Sequence, residues 1–133
     1  MMKLIDEKLL DKLTESASQN VRLRMNYNFH TSSDSKAQKL LNALEPGTIL
    51  QIHRHLNSSE TFILLKGRLR ILFYDDNKKI TDSIELNISK GNFGIDIPAG
   101  QWHTLEVLES GTVIFEVKEG PYSAITAEDI LAK

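Results

Sequence analysis

Two of the chain's four histidines stand as His53-Arg54-His55, and a carboxylate, Glu60, follows five residues later. On a strand, a spacing of two sends both imidazoles off the same face. The intervening Leu56-Asn57-Ser58-Ser59 reads as a loop that turns Glu60 back beside them in a hairpin. His103, just past the Pro98-Ala99-Gly100 turn, offers a third imidazole. Three neutral nitrogens and one carboxylate oxygen form a borderline-hard donor set, suited to one divalent ion of Fe, Mn, Ni, Co or Zn. With four protein ligands, an ion that prefers five or six partners keeps positions open for water or substrate. A lone HxH pair is ordinarily a surface or hydrogen-bonded feature. The four residues together point to a metal.

The elements that must position them are short. From Thr48 onward the runs TILQIHRH, ETFILLKG, RLRILFY, ITDSIEL, GNFGIDI, WHTLEVL and TVIFEVK follow one another, separated by turn signals such as Asp75-Asp76-Asn77, Lys90-Gly91 and Ser110-Gly111. No helix-length pattern separates them, so they read as an all-β sandwich or barrel. Before them, residues 4–17 have the spacing of a helix, with Leu9, Leu10, Leu13 and Ala17 on one face and Asp6 as N-cap. A second helix is expected from Ser33 or Asp34 through Ala37, Leu40, Leu41 and Leu44, stopped by Glu45-Pro46-Gly47. The tail TAEDILAK predicts a last helical turn capped by Thr126. The expected layout is one domain over 1–133: a helix-strand-helix extension over 1–46, a barrel over 47–120 and a tail over 121–133.

Between the two expected helices lies VRLRMNYNFH, Val21 to His30, which alternates without a break. Its odd residues are apolar; its even residues are Arg22, Arg24, Asn26, Asn28 and His30. A solvated edge strand would carry such a face, with arginine discouraging edge pairing. This one has no acid and no lysine, and each member makes directional hydrogen bonds, an inventory suited to a sugar or sugar phosphate. The strand is therefore expected across the barrel mouth, with Arg24, Asn28 and His30 facing the metal and Arg22 and Asn26 assisting. His30, the histidine left over, is the candidate general acid or base. Gln51 shares the parity of His53 and His55 and is expected to bind substrate beside the metal. Trp102 is read as entrance cover or core, Arg68 and Arg70 as a solvent face, and Asp75 and Asp76 as turn residues.

At 133 residues, with 16 basic and 18 acidic side chains, the chain suits one core and lacks the charge of a nucleic-acid binder. It has no cysteine, which excludes disulfides and thiolate metal sites. MMKLIDEKLLDKL mixes charges through its apolar positions, unlike a signal peptide, and no apolar run approaches the roughly 20 residues of a membrane span. A cytoplasmic protein is expected.

Gly47 to Gly67, GTILQIHRHLNSSETFILLKG, reads G-x5-H-x-H-x4-E-x6-G and resembles the first motif of the cupin superfamily without a gap. Gly91 to Val107 resembles the second, with Pro98-x-Gly100-x2-His103 intact, one extra residue after Gly91, and Val107 where the motif ends in asparagine. The resemblance implies a small double-stranded β-helix, a jelly-roll barrel of RmlC-like type, with His53, His55, Glu60 and His103 as ligands. Across nearly the whole chain, the RLRxxxNxH strand, HRHxxxxET and the closing VKEGPY (Val117 to Tyr122) are similar to the WbuC family of cupin-fold metalloproteins. That implies a surface-polysaccharide, O-antigen-type context, and similar cupins imply a homodimer. The functions left open are a metal-dependent isomerase or epimerase on a sugar, sugar nucleotide or related acid, an iron-dependent oxygenase, a non-catalytic sugar- or carboxylate-binding module, and a chiefly structural metal.

Overall fold

Asp6 starts α1 (Glu7–Gln19) by accepting the Leu9 N–H at 3.0 Å, which satisfies one of the donors a helix start leaves free. Leu10, Leu13 and Ala17 are buried on the helix's inner stripe, against Leu41, Ala43 and Val113. Partly buried Met25, Tyr27, Phe29 and Phe115 complete this layer, so the odd face of VRLRMNYNFH packs there from Met25 onward, while Val21 is exposed. Each leucine so buried contributes about 1.5–3 kcal/mol. This computed structural model describes residues 2–131, among which no helix is long and apolar enough to cross a membrane.

The helix covers the outside of a five-stranded antiparallel sheet ordered β1-β2-β8-β3-β6. These strands are β1 (Arg24–Asn28), β2 (Ala37–Leu44), β3 (Glu60–Lys66), β6 (Gly94–Ile97) and β8 (Thr112–Glu119). The other sheet, ordered β5-β4-β7, comprises β4 (Arg68–Tyr74), β5 (Ile80–Asn87) and β7 (Trp102–Val107). Between the sheets, Leu44, Phe62, Leu64 and Ile114 meet Leu69, Ile71, Phe73, Leu86, Leu105 and Val107. The chain passes from one sheet to the other at Gly67, a single residue with φ +85° where a Cβ would overlap Thr112. Only glycine meets both demands. The Thr112 hydroxyl accepts the Arg68 N–H at 3.2 Å there. The all-β jelly-roll expected from the sequence is the fold observed.

Two expectations fail locally and a third holds only in part. The helix expected over 33–44 is strand β2, which makes the helix-strand-helix extension part of the main sheet rather than an appendage. The reason is two-sided burial: Leu41 and Ala43 sit under α1 while Leu44 faces the barrel core, so the run shows no alternation and mimics helical spacing. TILQIHRH is extended but outside the named strands, contributing a bridge from His53 to His103 and another to Ile130. The tail forms a short 3-10 turn at Ala127–Asp129 with no side-chain bond from Thr126, and positions 132–133 of the expected helix lie outside the described residues.

Candidate metal centre

Glu60 opens β3 on the face that Phe62 and Leu64 bury in the barrel, and His103 on β7 shares the inward parity of Leu105 and Val107. The HxH segment is held across the barrel end by its backbone. His53 N–H donates to the His103 carbonyl at 3.0 Å, and His103 N–H returns the bond at 2.9 Å. The His55 carbonyl accepts the Gly100 N–H at 2.9 Å, which ties the segment to the Pro98-Ala99-Gly100 turn. One potential ligand atom from each of His53, His55, Glu60 and His103 thus lies within 4.8 Å of the others. Glu60 Oε1 is 2.9 Å from His103 Nε2 and 3.5 Å from His55 Nε2.

Protonation follows from the surroundings. His53 Nδ1 and His103 Nδ1 each lie 2.9 Å from a main-chain carbonyl, of Gln51 and Gln101 respectively. Carbonyls only accept, so His53 Nδ1 carries the proton and its Nε2 presents a lone pair, whereas the His103 ring stands between two acceptors, the Gln101 carbonyl and the Glu60 carboxylate. Burial, and then the neighbouring His103, push His53 down to about 4. Burial also lowers His55, against a partial opposing pull from Glu60. Burial alone would raise Glu60, but the His103 hydrogen bond and the imidazoles together outweigh it and hold the carboxyl below its usual range. The result is an ionised carboxylate beside three imidazoles, a set that exchanges protons for a divalent ion. The donor set fits such an ion.

The even face of the first strand goes elsewhere. Arg24 Nη1 donates to the Ile49 carbonyl at 2.9 Å, bracing the chain past Gly47, and Arg22 and Asn26 are exposed. Asn28 and His30 line a separate cavity of about 230 Å³ with Gln38 and Tyr122, and His30 Nδ1 lies 3.1 Å from the Lys39 backbone. In register, His30 is separated from Glu60 by β2 and β8, three inter-strand steps or about 14 Å. Hence the strand does not turn Arg24, Asn28 or His30 to the four ligands. Gln51 is exposed as a side chain and takes part through its carbonyl.

Other residues stand nearer the centre. On β8 the alternation Thr112, Ile114, Glu116, Lys118 points into the barrel, a signal present in TVIFEVK but hidden until the neighbouring strands are known. Burial first, and then Glu60, raise the Glu116 carboxyl to about 7; its hydrogen-bond donor is Asn42 Nδ2 at 3.3 Å, whose own buried Oδ1 has no partner. A cavity of about 340 Å³ opens beside His55, lined also by Arg54, Asn57, Ser58, Lys118 and the tail around Ser123. Arg54 Nε donates to Asp129 at 2.9 Å, and its guanidinium lies 4.3 Å from the Trp102 ring centre. Trp102 is buried and donates to Asp76 at 2.7 Å, so Asp76 anchors the indole while Asp75 holds the turn by accepting the Asn77 and Lys79 N–H groups.

Two facing antiparallel sheets with this donor set at one end define a cupin-fold protein whose His53, His55, Glu60 and His103 could bind a metal. The chain belongs to the family described as domain of unknown function DUF6016, whose model matches residues 5–86; the match does not name the WbuC family. A search of the curated proteins finds no match. Among solved structures the chain is similar to a cupin superfamily protein from Desulfitobacterium hafniense DCB-2, with TM-score 0.57 and 14% identity over 72% of this chain and 76% of that one. It is also similar to the capsular polysaccharide assembling protein CapF from Staphylococcus aureus, with TM-score 0.55 and 25% identity over 71% of this chain and 25% of that one. A third likeness is to Bacillus subtilis oxalate decarboxylase, solved in a study of its Mn(II) centres, with TM-score 0.54 and 16% identity over 69% and 24%. The chain spans about a quarter of the last two proteins.

Proposed function

We propose that the protein is a divalent-metal cupin enzyme acting on a small polar substrate, a sugar, sugar nucleotide or related acid, in surface-polysaccharide metabolism. The observation that carries this is the convergence of four ligand atoms within 4.8 Å beside a cavity that reaches His55. The pathway is supported by the WbuC-like RLRxxxNxH and VKEGPY segments and by the likeness to a capsular polysaccharide assembling protein. A bound divalent ion supplies a Lewis acid that polarises a substrate oxygen or acidifies bound water. The protein's part is positional. The Gln51 and Gln101 carbonyls fix the ring orientations of His53 and His103, and Trp102 with Arg54 shields that end of the barrel. Glu116, inside the barrel and free of any ion pair among the described residues, is the nearer group able to hold a proton, while His30 and Asn28 line a separate cavity.

Turnover assays with sugar nucleotides and sugar acids, comparing wild type with a His53→Ala/His55→Ala protein, test this reading. Activity that survives loss of the metal would overturn it. A non-catalytic sugar- or carboxylate-binding module is the second reading, favoured by the distance of His30 from the four ligands. Saturable binding with no chemical change across the same panel would select it. Elemental analysis of protein from its own host distinguishes iron, and with it the oxygenase chemistry, from the other ions. Light scattering tests the homodimer expected from similar cupins.

A further inference from the structure

Lys118 stands directly opposite Glu60 in the β3/β8 pair, on the inward face shared with Ile114, so the two side chains start about 5 Å apart. It lines the 340 Å³ cavity together with His55, and its ammonium lies 5.7 Å from the centre of the Tyr122 ring. The cavity's other cation, Arg54, is already engaged by Asp129 and Trp102. Lys118 forms no ion pair among the described residues, and Glu116 on the same face bonds to Asn42 instead. A partly buried lysine with no carboxylate at ion-pair distance, although Glu60 stands opposite and Glu119 lines the same cavity, favours a bound anion. With a divalent ion held by three neutral imidazoles and one carboxylate, the centre beside it is also net positive.

We propose that the ligand of this centre carries an oxyanion, carboxylate or phosphate, which Lys118 takes while another oxygen of the same molecule faces His53, His55, Glu60 and His103. The inference rests on the metal reading above and narrows its substrate class. The cavity sits at the low end of the roughly 300–1,000 Å³ of small-molecule sites, which suits a monosaccharide-sized acid or sugar phosphate. Asn57, Ser58 and Ser123 supply hydrogen-bonding groups for its hydroxyls.

Calorimetric titration of the full-length, Mn²⁺-loaded protein with glucuronate, glucose 6-phosphate and neutral glucose tests this. At least one of the two anions binds about tenfold or more tightly than glucose, and more weakly as salt is raised. Which anion it is separates carboxylate from phosphate. Lys118→Met and Lys118→Gln weaken that anion about tenfold or more, while Lys118→Arg stays within about threefold of wild type. All three variants keep their Mn²⁺ content and melting temperature. Failure of both anions to bind, glucose bound as tightly as the anions, or unchanged affinity in a folded Lys118→Met or Lys118→Gln protein overturns the inference and leaves the metal reading standing. A wild-type protein that holds no Mn²⁺, Fe²⁺, Co²⁺, Ni²⁺ or Zn²⁺ overturns the metal reading and this inference with it.

Discussion

The Nε2 of His103 lies 2.9 Å from Oε1 of Glu60, at a buried position, while the same ring's Nδ1 faces the Gln101 carbonyl at 2.9 Å. A neutral imidazole whose proton serves that carbonyl has only a lone pair to offer the carboxylate. Two acceptors at hydrogen-bond distance need a positive charge between or beside them, either a proton or a metal ion. The pair is therefore poised for a cation, and its neighbours His53 and His55 supply further ligands.

Glu60→Gln separates the two ways of satisfying that pair. The amide can donate to His103 Nε2, so the metal-free variant should be as stable as wild type or more so, since a buried charge has gone and a hydrogen bond is kept. Its metal content after dialysis should fall well below that of wild type, because the anionic ligand is lost. Thermal melts beside elemental analysis read both arms. A marked loss of stability with undiminished metal would contradict the assignment.

Glu116 gives a pH-dependent test. Its carboxyl is raised to about 7 from an ordinary 4.5, so between those values the folded protein binds a proton that the unfolded chain has released. That contribution is complete below about 4.5 and is lost as the pH rises through 7. Glu116→Gln in the metal-free protein should be near neutral at pH 5 and stabilising by on the order of 2–3 kcal/mol at pH 8. His53, pushed down to about 4, works the other way: its contribution is full above 6.5 and is lost as the pH falls through 4. In wild type the two slopes largely offset one another, and the variant exposes the His53 slope. Urea melts across that range check it.

Gly67→Ala should destabilise by about 3 kcal/mol or more, because the new methyl meets both the positive φ and Thr112. Denaturant midpoints measure this. A shift smaller than about 1 kcal/mol would mean that the β3–β4 crossing relaxes to admit a side chain.

The tail supplies a fourth test. Asp129 holds Arg54 through its side chain at 2.9 Å and through its carbonyl, which accepts the Arg54 N–H at 3.0 Å, and Leu131 N–H donates to the Ile52 carbonyl at 2.8 Å. Asp129→Ala removes only the side-chain contact of a partly exposed pair, so global stability should drop by about 1 kcal/mol or less. Limited proteolysis in the 121–131 region should nonetheless quicken, because local opening depends on few contacts. An unchanged digestion pattern would show that the backbone bonds alone hold the tail.

The sequence by itself determined the candidate ligand set. His53, His55 and Glu60 lie within eight residues, so strand parity and one turn bring them together, and the motif spacing adds His103. It also determined α1, where Asp6 and the Leu10, Leu13 and Ala17 stripe act locally, and the packing face of Met25, Tyr27 and Phe29 in the first strand. Tertiary structure decided what depends on distant partners. Leu40 to Leu44 became a strand because α1 and the barrel core bury opposite faces of it. Arg24 and His30 were drawn from the centre because β2 and β8 intervene between β1 and Glu60, while Glu116 and Lys118 arrived there because β8 pairs with β3. Chemistry coded within one short segment can be read along the chain; a neighbour chosen by sheet order cannot, because pairing energies are shared among strands far apart in sequence.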